Sequence, residues 1–225
     1  MTNGKILTQE NLLFLLKGAG ISLLLALGAL LIGMVIGILL AAGRLSKVKI
    51  LNWLCSIYVE IFRGTPMLLQ IMFFYLGIPV LIRMITGVRV RMDVYAVALT
   101  ALSLNSGAYQ CELFRSGIQG VDKGQWEACE TLGISYWPMM FQVILPQAFK
   151  RIIPPLVSEF ITLIKDSSLA SCIGAGELMR NAQTLGAQYY NYLVPLIVAG
   201  IMYLFMTLII SWLSRKLERR MAVSD

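Results

Sequence analysis

Three ionisable residues, Glu159, Lys165 and Asp166, fall within eight residues of one another in a stretch otherwise built from Phe, Ile, Thr and Leu. Glu159 and Asp166 are seven apart, two helical turns, so on a helix they share nearly one face and form an acidic stripe. Carboxylates in apolar surroundings attract a cation far more strongly than they would in water. The competing reading is an ion pair of Lys165 with Asp166 or Glu159 that only holds helices together. A second polar stripe is made by Asn105, Tyr109 and Glu112 at i, i+4 and i+7. Glu112 lies near the end of its segment, where it is either solvated or paired with Arg115. Lys165-Asp166-Ser167-Ser168 is poor material for a continuous lipid-facing helix, and unwound backbone within a membrane is tolerated where it lines a cavity.

The elements that position these groups are membrane elements. Of 225 residues 58% are hydrophobic and 14% charged, with mean hydropathy +0.75, which excludes an ordinary soluble domain. Ionisable groups inside such a protein cost at least about 2.5 kcal/mol each at a helix centre and so mark sites. The four cysteines, Cys55, Cys111, Cys129 and Cys172, lack metal-ligand or disulfide-framework spacing and read as small buried hydrophobes. The net charge of +7 is explained by basic loops on one side of a membrane, and nucleic-acid binding carries no weight. With zero histidines the H-E-x-x-H metalloprotease motif is impossible, and neither Asp93 nor Asp166 has the G-x-G-D setting of an intramembrane aspartyl protease. No G-x-x-x-x-G-K-[ST] phosphate loop occurs.

The expected fold is all-α: five transmembrane helices over about 18–43, 53–81, 94–114, 152–174 and 192–214, preceded by a short amphipathic helix over Thr8 to Lys17. The uncharged run from Gly18 to Gly43 is 26 residues long, too long for the core of a cleavable signal peptide. Within it Gly33, Gly37 and Ala41 recur every four residues, which would let another helix approach closely, although a plain lipid-facing or intrasubunit packing role is favoured over a dimer motif. Prolines 66 and 79 interrupt the second span. There Arg63 either pairs with Glu60 at i, i+3 or gates the path, and the pairing is favoured.

One segment sits awkwardly in this scheme. From Thr131 to Phe149 no residue carries a formal charge, a run of 19, yet two prolines and two glutamines spoil it as a span. Basic residues decide. Without it as a span, eleven Lys and Arg fall on one side (Arg44, Lys47, Lys49, Arg115, Lys123, Lys150, Arg151, Arg215, Lys216, Arg219 and Arg220) and six on the other (Lys5, Lys17, Arg83, Arg89, Arg91 and Arg180). The richer side is cytoplasmic, which puts the N-terminus outside and the C-terminus inside. A structured cytoplasmic loop over about 115–151 results, with a helix over Gln125 to Leu132, a stop at Gly133 and a second helix from Tyr136. Its aromatic and methionine side chains suit either a socket on a partner or the inner membrane surface.

Resemblance favours the partner. Glu127-Ala128-Cys129, three residues, Gly133, nine residues, then Val143-Ile144-Leu145-Pro146 resembles the EAA loop of the membrane subunits of ABC importers, in which alanine is usual at the place of Cys129 and isoleucine at that of Val143. "FRGTP" at Phe62 to Pro66, "LSLNSGAY" at Leu102 to Tyr109, "KGQWEA" at Lys123 to Ala128 and "KDSSLAS" at Lys165 to Ser171 resemble the polar amino acid branch of those permeases. The resemblance implies a permease that is not itself an enzyme and holds no cofactor, ATP and Mg residing on two partner ATP-binding-cassette subunits. It further implies a second permease copy or paralogue, an extracytoplasmic amino acid-binding protein, surrounding lipid, and a prokaryotic inner membrane. The coupling residues it points to are Glu127, Ala128, Gly133, Tyr136, Met139 and Met140. The substrate set carried over is Asn105, Tyr109, Glu159, Asp166, Ser167 and Leu169, with Asp166 for the α-ammonium group and Glu159 for a cationic side chain. Arginine, lysine or histidine is therefore the expected cargo, with glutamine or cystine as the alternative. A secondary transporter or channel is the rival class; it should show internal repeats, and none is evident.

Overall fold

The computed structural model describes residues 6–222. Lys5 and the side chain of Arg220, both used in the charge count, lie outside the described residues. Every regular element among the described residues is helical, in keeping with the all-α expectation.

Helix α1 runs from Gln9 to Leu45, 37 residues, about 56 Å at 1.5 Å per residue. Thr8 caps it, its Oγ1 accepting from the Asn11 amide at 3.3 Å. The separate amphipathic helix expected over Thr8 to Lys17 is instead the first turns of α1. Gly18 does not stop the helix because it is a contact point: a Cβ there would lie 2.9 Å from the Leu178 Cα. Helix α5, Val94–Gln119, packs along α1. A Cβ on Gly37 would meet the Gln110 Cβ at 2.8 Å, and one on Gly107 would meet the Ile36 Cγ2 at 2.6 Å. The glycine row thus packs two helices of one chain. Gln110, fully buried, donates from Nε2 to the Leu30 carbonyl and to the Ser106 Oγ, both at 3.0 Å.

Between them the second expected span is broken. Helix α2 (Lys49–Gly64) ends at Thr65, which is extended as a residue before proline must be. Helix α3 (Met67–Met72) then passes through a π-helical turn, Phe73–Gly77, into α4 (Ile78–Thr86). Gln70 bridges the break, its Nε2 reaching the Phe62 carbonyl at 2.8 Å and the Thr65 Oγ1 at 2.9 Å.

The segment expected as a loop over 115–151 is mostly helical. Helix α5 continues to Gln119, and α6 (Lys123–Thr131) is capped by Asp122. Gly133, at φ +68, turns the chain as Ile134 N–H closes back on the Cys129 carbonyl at 2.9 Å. Helix α7 (Tyr136–Met139) then runs through a π-helical turn, Met140–Ile144, straight into α8 (Leu145–Asp166). Pro146 ends no helix here because it sits in the first turn after the π-helical segment, where hydrogen-bond register has already shifted. Past Asp166 the chain tightens to a 3-10 helix, Ser167–Ile173, closed by Gly174 at φ +90. Helices α9 (Leu178–Gln188) and α10 (Leu193–Ala222) complete the order.

Three described helical stretches are long and apolar enough to cross a membrane: Gln9–Leu45, Met67–Thr86 and Leu193–Leu217. Helices α5 and α8, expected as spans, do not meet that measure because they carry the polar stripes. They pack instead against α1 and against each other, burying Ala98, Ala101, Leu102 and Ile164 together.

Candidate functional site

The α8 stripe faces α5. The Ser106 Oγ donates to the Glu159 Oε1 at 2.8 Å, and since Gln110 donates to that same hydroxyl, the carboxylate ends a chain of bonds rooted in the α1 backbone. Glu159 and Asp166 are both half-buried, whereas Lys165 is exposed. Among the described residues neither carboxylate has a basic side chain at ion-pair distance. The purely structural pairing of Lys165 is therefore absent. Its place on the helix explains this: position 165 is turned roughly 120° away from the face shared by 159 and 166 at 3.6 residues per turn.

The other predicted substrate residues are placed unevenly. Tyr109 is exposed on α5 at 39%. Ser167 is buried and donates to the Ile164 carbonyl at 2.7 Å, and Leu169 packs on the main core. Asn105 is buried, its Nδ2 directed to the Phe62 carbonyl at 3.0 Å and the Gln70 Oε1 at 3.1 Å, so its amide braces the α2–α3 break. Ser106, adjacent in "LSLNSGAY" and absent from the expected set, makes the contact to Glu159; its place one turn before Tyr109 was the available signal.

One turn beyond Tyr109, Glu112 holds three arginines. Arg115 chelates its Oε2 from Nε at 3.0 Å and Nη2 at 2.7 Å. Arg44 from α1 pairs with Oε1, and Arg63 from α2 approaches Oε1 at 3.8 Å. The Arg63 guanidinium lies 5.4 Å from the centre of the Tyr109 ring. The pairing of Arg63 with Glu60 is thus corrected: Glu112, with 18% of its side chain exposed, outcompetes the exposed Glu60 because attraction strengthens as water is excluded.

On the loop, Glu127 and Ala128 are exposed on α6. Leu132 is 76%, Tyr136 57%, Trp137 67% and Phe141 64% exposed, with Trp137 stacked on Phe141 at 5.9 Å and edge-on to Tyr136 at 5.4 Å. Met139 and Met140, expected to face a partner, are instead buried with Ile144, Ala148 and Ile152. Burial separates the two sets: the aromatics stand out from the surface while the methionines enter the cluster with Ile144. Trp137 and Phe141, rather than the methionines, are therefore the groups this loop presents.

Glu177 is the other feature that no sequence pattern announced. Fully buried, it accepts from the amides of Met179 at 2.8 Å and Arg180 at 2.7 Å, from the Tyr203 hydroxyl at 2.9 Å and from the Ser22 Oγ at 3.3 Å. It caps α9 and fastens it to α1 and α10. An acid opening a helix after Gly174-Ala175-Gly176 was its only signal.

Comparison with known proteins agrees with this arrangement. Residues 33–223 match the family described as binding-protein-dependent transport system inner membrane component. The arginine transport system permease protein ArtQ of Bacillus subtilis is 42% identical over 218 residues, 97% of each chain. A putative glutamine transport system permease protein GlnP of Rickettsia bellii is 40% identical over 216 residues, 96% of each chain. In three dimensions the chain superposes on a solved amino acid ABC transporter crystallised with histidines, at TM-score 0.85 and 37% identity over 92% of this chain and 94% of that one. A methionine ABC transporter in an inward-facing conformation shares the fold at TM-score 0.74 and 19% identity, over 95% of this chain and 99% of that one. The resemblance carried by the EAA-type loop is borne out, and the family is one of transport components rather than enzymes. These matches show that the chain belongs to the binding-protein-dependent transport system inner membrane components.

Proposed function

We propose that this chain forms the translocation path of an ATP-driven amino acid importer and binds a basic amino acid between α5 and α8. The observation that carries the reading is the Glu159 carboxylate, half-buried, oriented by Ser106 at 2.8 Å and without a basic partner at ion-pair distance among the described residues. A desolvated carboxylate lacking its counter-ion is costly, and a cationic side chain of the cargo relieves that cost. Asp166 on the same face receives the α-ammonium group. The naming of one relative for arginine, and the histidines crystallised with the structural neighbour, support a basic cargo. Relatives named for glutamine and L-cystine keep neutral cargoes as the alternative.

In this reading α1, the broken α2–α4 unit, α5, α8 and α10 make five passes, with the N-terminus outside and the C-terminus in the cytoplasm. Two such permease subunits, identical or paralogous, stand on two ATPases. The exposed row Leu132, Tyr136, Trp137 and Phe141 inserts into the ATPase, and Glu127 and Ala128 flank it. An extracytoplasmic binding protein delivers the cargo. The test is to purify the chain with its ATPase and binding protein and to measure which amino acids stimulate hydrolysis. Arginine, lysine or histidine is expected to stimulate, and Glu159→Gln to raise the half-maximal arginine concentration by tenfold or more, about 1.4 kcal/mol. Stimulation by glutamine or cystine alone would refute the basic cargo. An E159Q complex with unchanged arginine dependence would refute the role of Glu159.

A further inference from the structure

The acidic stripe answers only half of an amino acid. At neutral pH the cargo carries an α-carboxylate, which Glu159 and Asp166 repel, and a carboxylate brought among helices without a cation pays heavily for its lost water. We infer that Arg63, held over Tyr109, receives the α-carboxylate of the transported amino acid; this rests on the proposed site at Glu159.

The geometry selects Arg63 over the other basic groups. Lys165 points off the face shared by Glu159 and Asp166. Arg115 is committed to Glu112 through two short bonds, and Arg44 pairs with the other oxygen of that carboxylate. Arg63 is the most loosely held of the three: its ion pair with Glu112, at 3.8 Å, is beyond hydrogen-bond distance, and no hydrogen bond from its guanidinium occurs among the described residues. With three guanidinium groups around one carboxylate the cluster keeps an excess of positive charge, which draws an anion. The Tyr109 ring, 5.4 Å away, supports the cation from one side. The Arg63 side chain is 40% exposed, so solvent and a solute can reach it, and its fork suits a carboxylate bound through two parallel bonds.

Position agrees with chemistry. Ser106, which holds Glu159, and Tyr109, which supports Arg63, are one helical turn apart on α5, on the order of 5–6 Å between Cβ atoms. A cation-seeking group, Glu159, and an anion-seeking group, Arg63, are thus each braced from neighbouring turns of α5, as the oppositely charged parts of one amino acid require. The same arginine stands immediately before the Gly64-Thr65-Pro66 break, so a bound carboxylate would also bear on the hinge between α2 and α3.

The test uses the purified permease–ATPase complex in nanodiscs, without binding protein, and measures equilibrium binding of labelled arginine with argininamide as competitor. The intact complex is expected to prefer arginine to its amide by about tenfold or more, the scale of one charge-assisted pair. Arg63→Gln should lower arginine affinity to the level of argininamide while leaving the amide itself nearly unchanged, and Arg63→Lys should restore part of the preference. A purely structural role would weaken both ligands equally, and that result, or no change in either, overturns the proposal. So would a preference retained in R63Q with binding altered only by the anionic phospholipid content of the disc, which would assign the guanidinium to a lipid phosphate. Should the intact complex bind glutamine and no basic amino acid, the basic-cargo reading fails by itself. Arg63 is then judged with glutamine against its α-amide, where the same collapse is expected.

Discussion

At the residue scale the site divides into groups that face cargo and groups that hold those groups still. We propose Glu159 as one of the first kind; it was legible as a candidate in the sequence because a second acid two turns from Asp166 in an apolar run is costly. Asn105 shows the limit of that reasoning. It shares a stripe with Tyr109, but its amide is taken by Phe62 and Gln70, partners 43 and 35 residues away that no local pattern reveals. Glu177 shows the opposite error, a holding residue with no visible partner in sequence. Replacing it by alanine removes a helix cap and strands the Tyr203 and Ser22 hydroxyls in a buried place. The expected loss is about 2–4 kcal/mol, read as a lower thermal unfolding midpoint of the purified complex in detergent. An unaltered midpoint would show that the Ser22–Glu177–Tyr203 node does not fasten α9.

At the element scale, helix type and order were readable from composition and periodicity, while joints were not. The expected boundary between a short helix ending at Lys17 and a span starting at Gly18 is absent: α1 runs through it, with α9 pressed against Gly18. Likewise no local pattern shows that a π-helical turn joins α7 to α8 without a break just before Pro146. Conversely, the Gly33–Gly37 row read correctly because small residues at every fourth position have one use within a bundle, close approach. Gly37→Val is expected to prevent assembly of a stable chain, since its added carbons would collide with the Gln110 Cβ and the Cys111 amide at 2.8 and 3.0 Å. Gly20→Ala, with nothing within 4 Å, should leave the unfolding midpoint within the scatter of surface changes. The loop makes a sharper prediction because its two faces differ. The double variant Trp137→Ala with Phe141→Ala should cut cargo-stimulated hydrolysis by about tenfold or more while the permease remains folded, the loss expected when aromatic anchors leave an interface. Met139→Ala should lower stability by roughly 2–4 kcal/mol through its buried cavity. If the methionine change uncoupled hydrolysis and the aromatic change did not, the docking face would be the other one.

At the scale of the whole molecule, the spacing of one loop motif led to the family, while of the five expected spans three coincide with stretches apolar and long enough to cross a membrane and α5 and α8 do not. Those helices are too polar to register as spans by apolarity, and the same polar faces are what the proposed path uses. Orientation is testable independently of transport. In a cysteine-free background, a single cysteine at Arg89 should react with a membrane-impermeant maleimide in intact spheroplasts, and one at Lys123 only after lysis; the reverse pattern would invert the topology. The most direct test of the central claim is uptake of labelled arginine into proteoliposomes containing this chain and its ATPase, with the binding protein outside and ATP on the ATPase side. Accumulation that requires ATP and falls by about tenfold or more in the Glu159→Gln complex is the predicted result. Arginine excluded from the lumen while a neutral amino acid accumulates, or arginine entry that is indifferent to ATP, would contradict it.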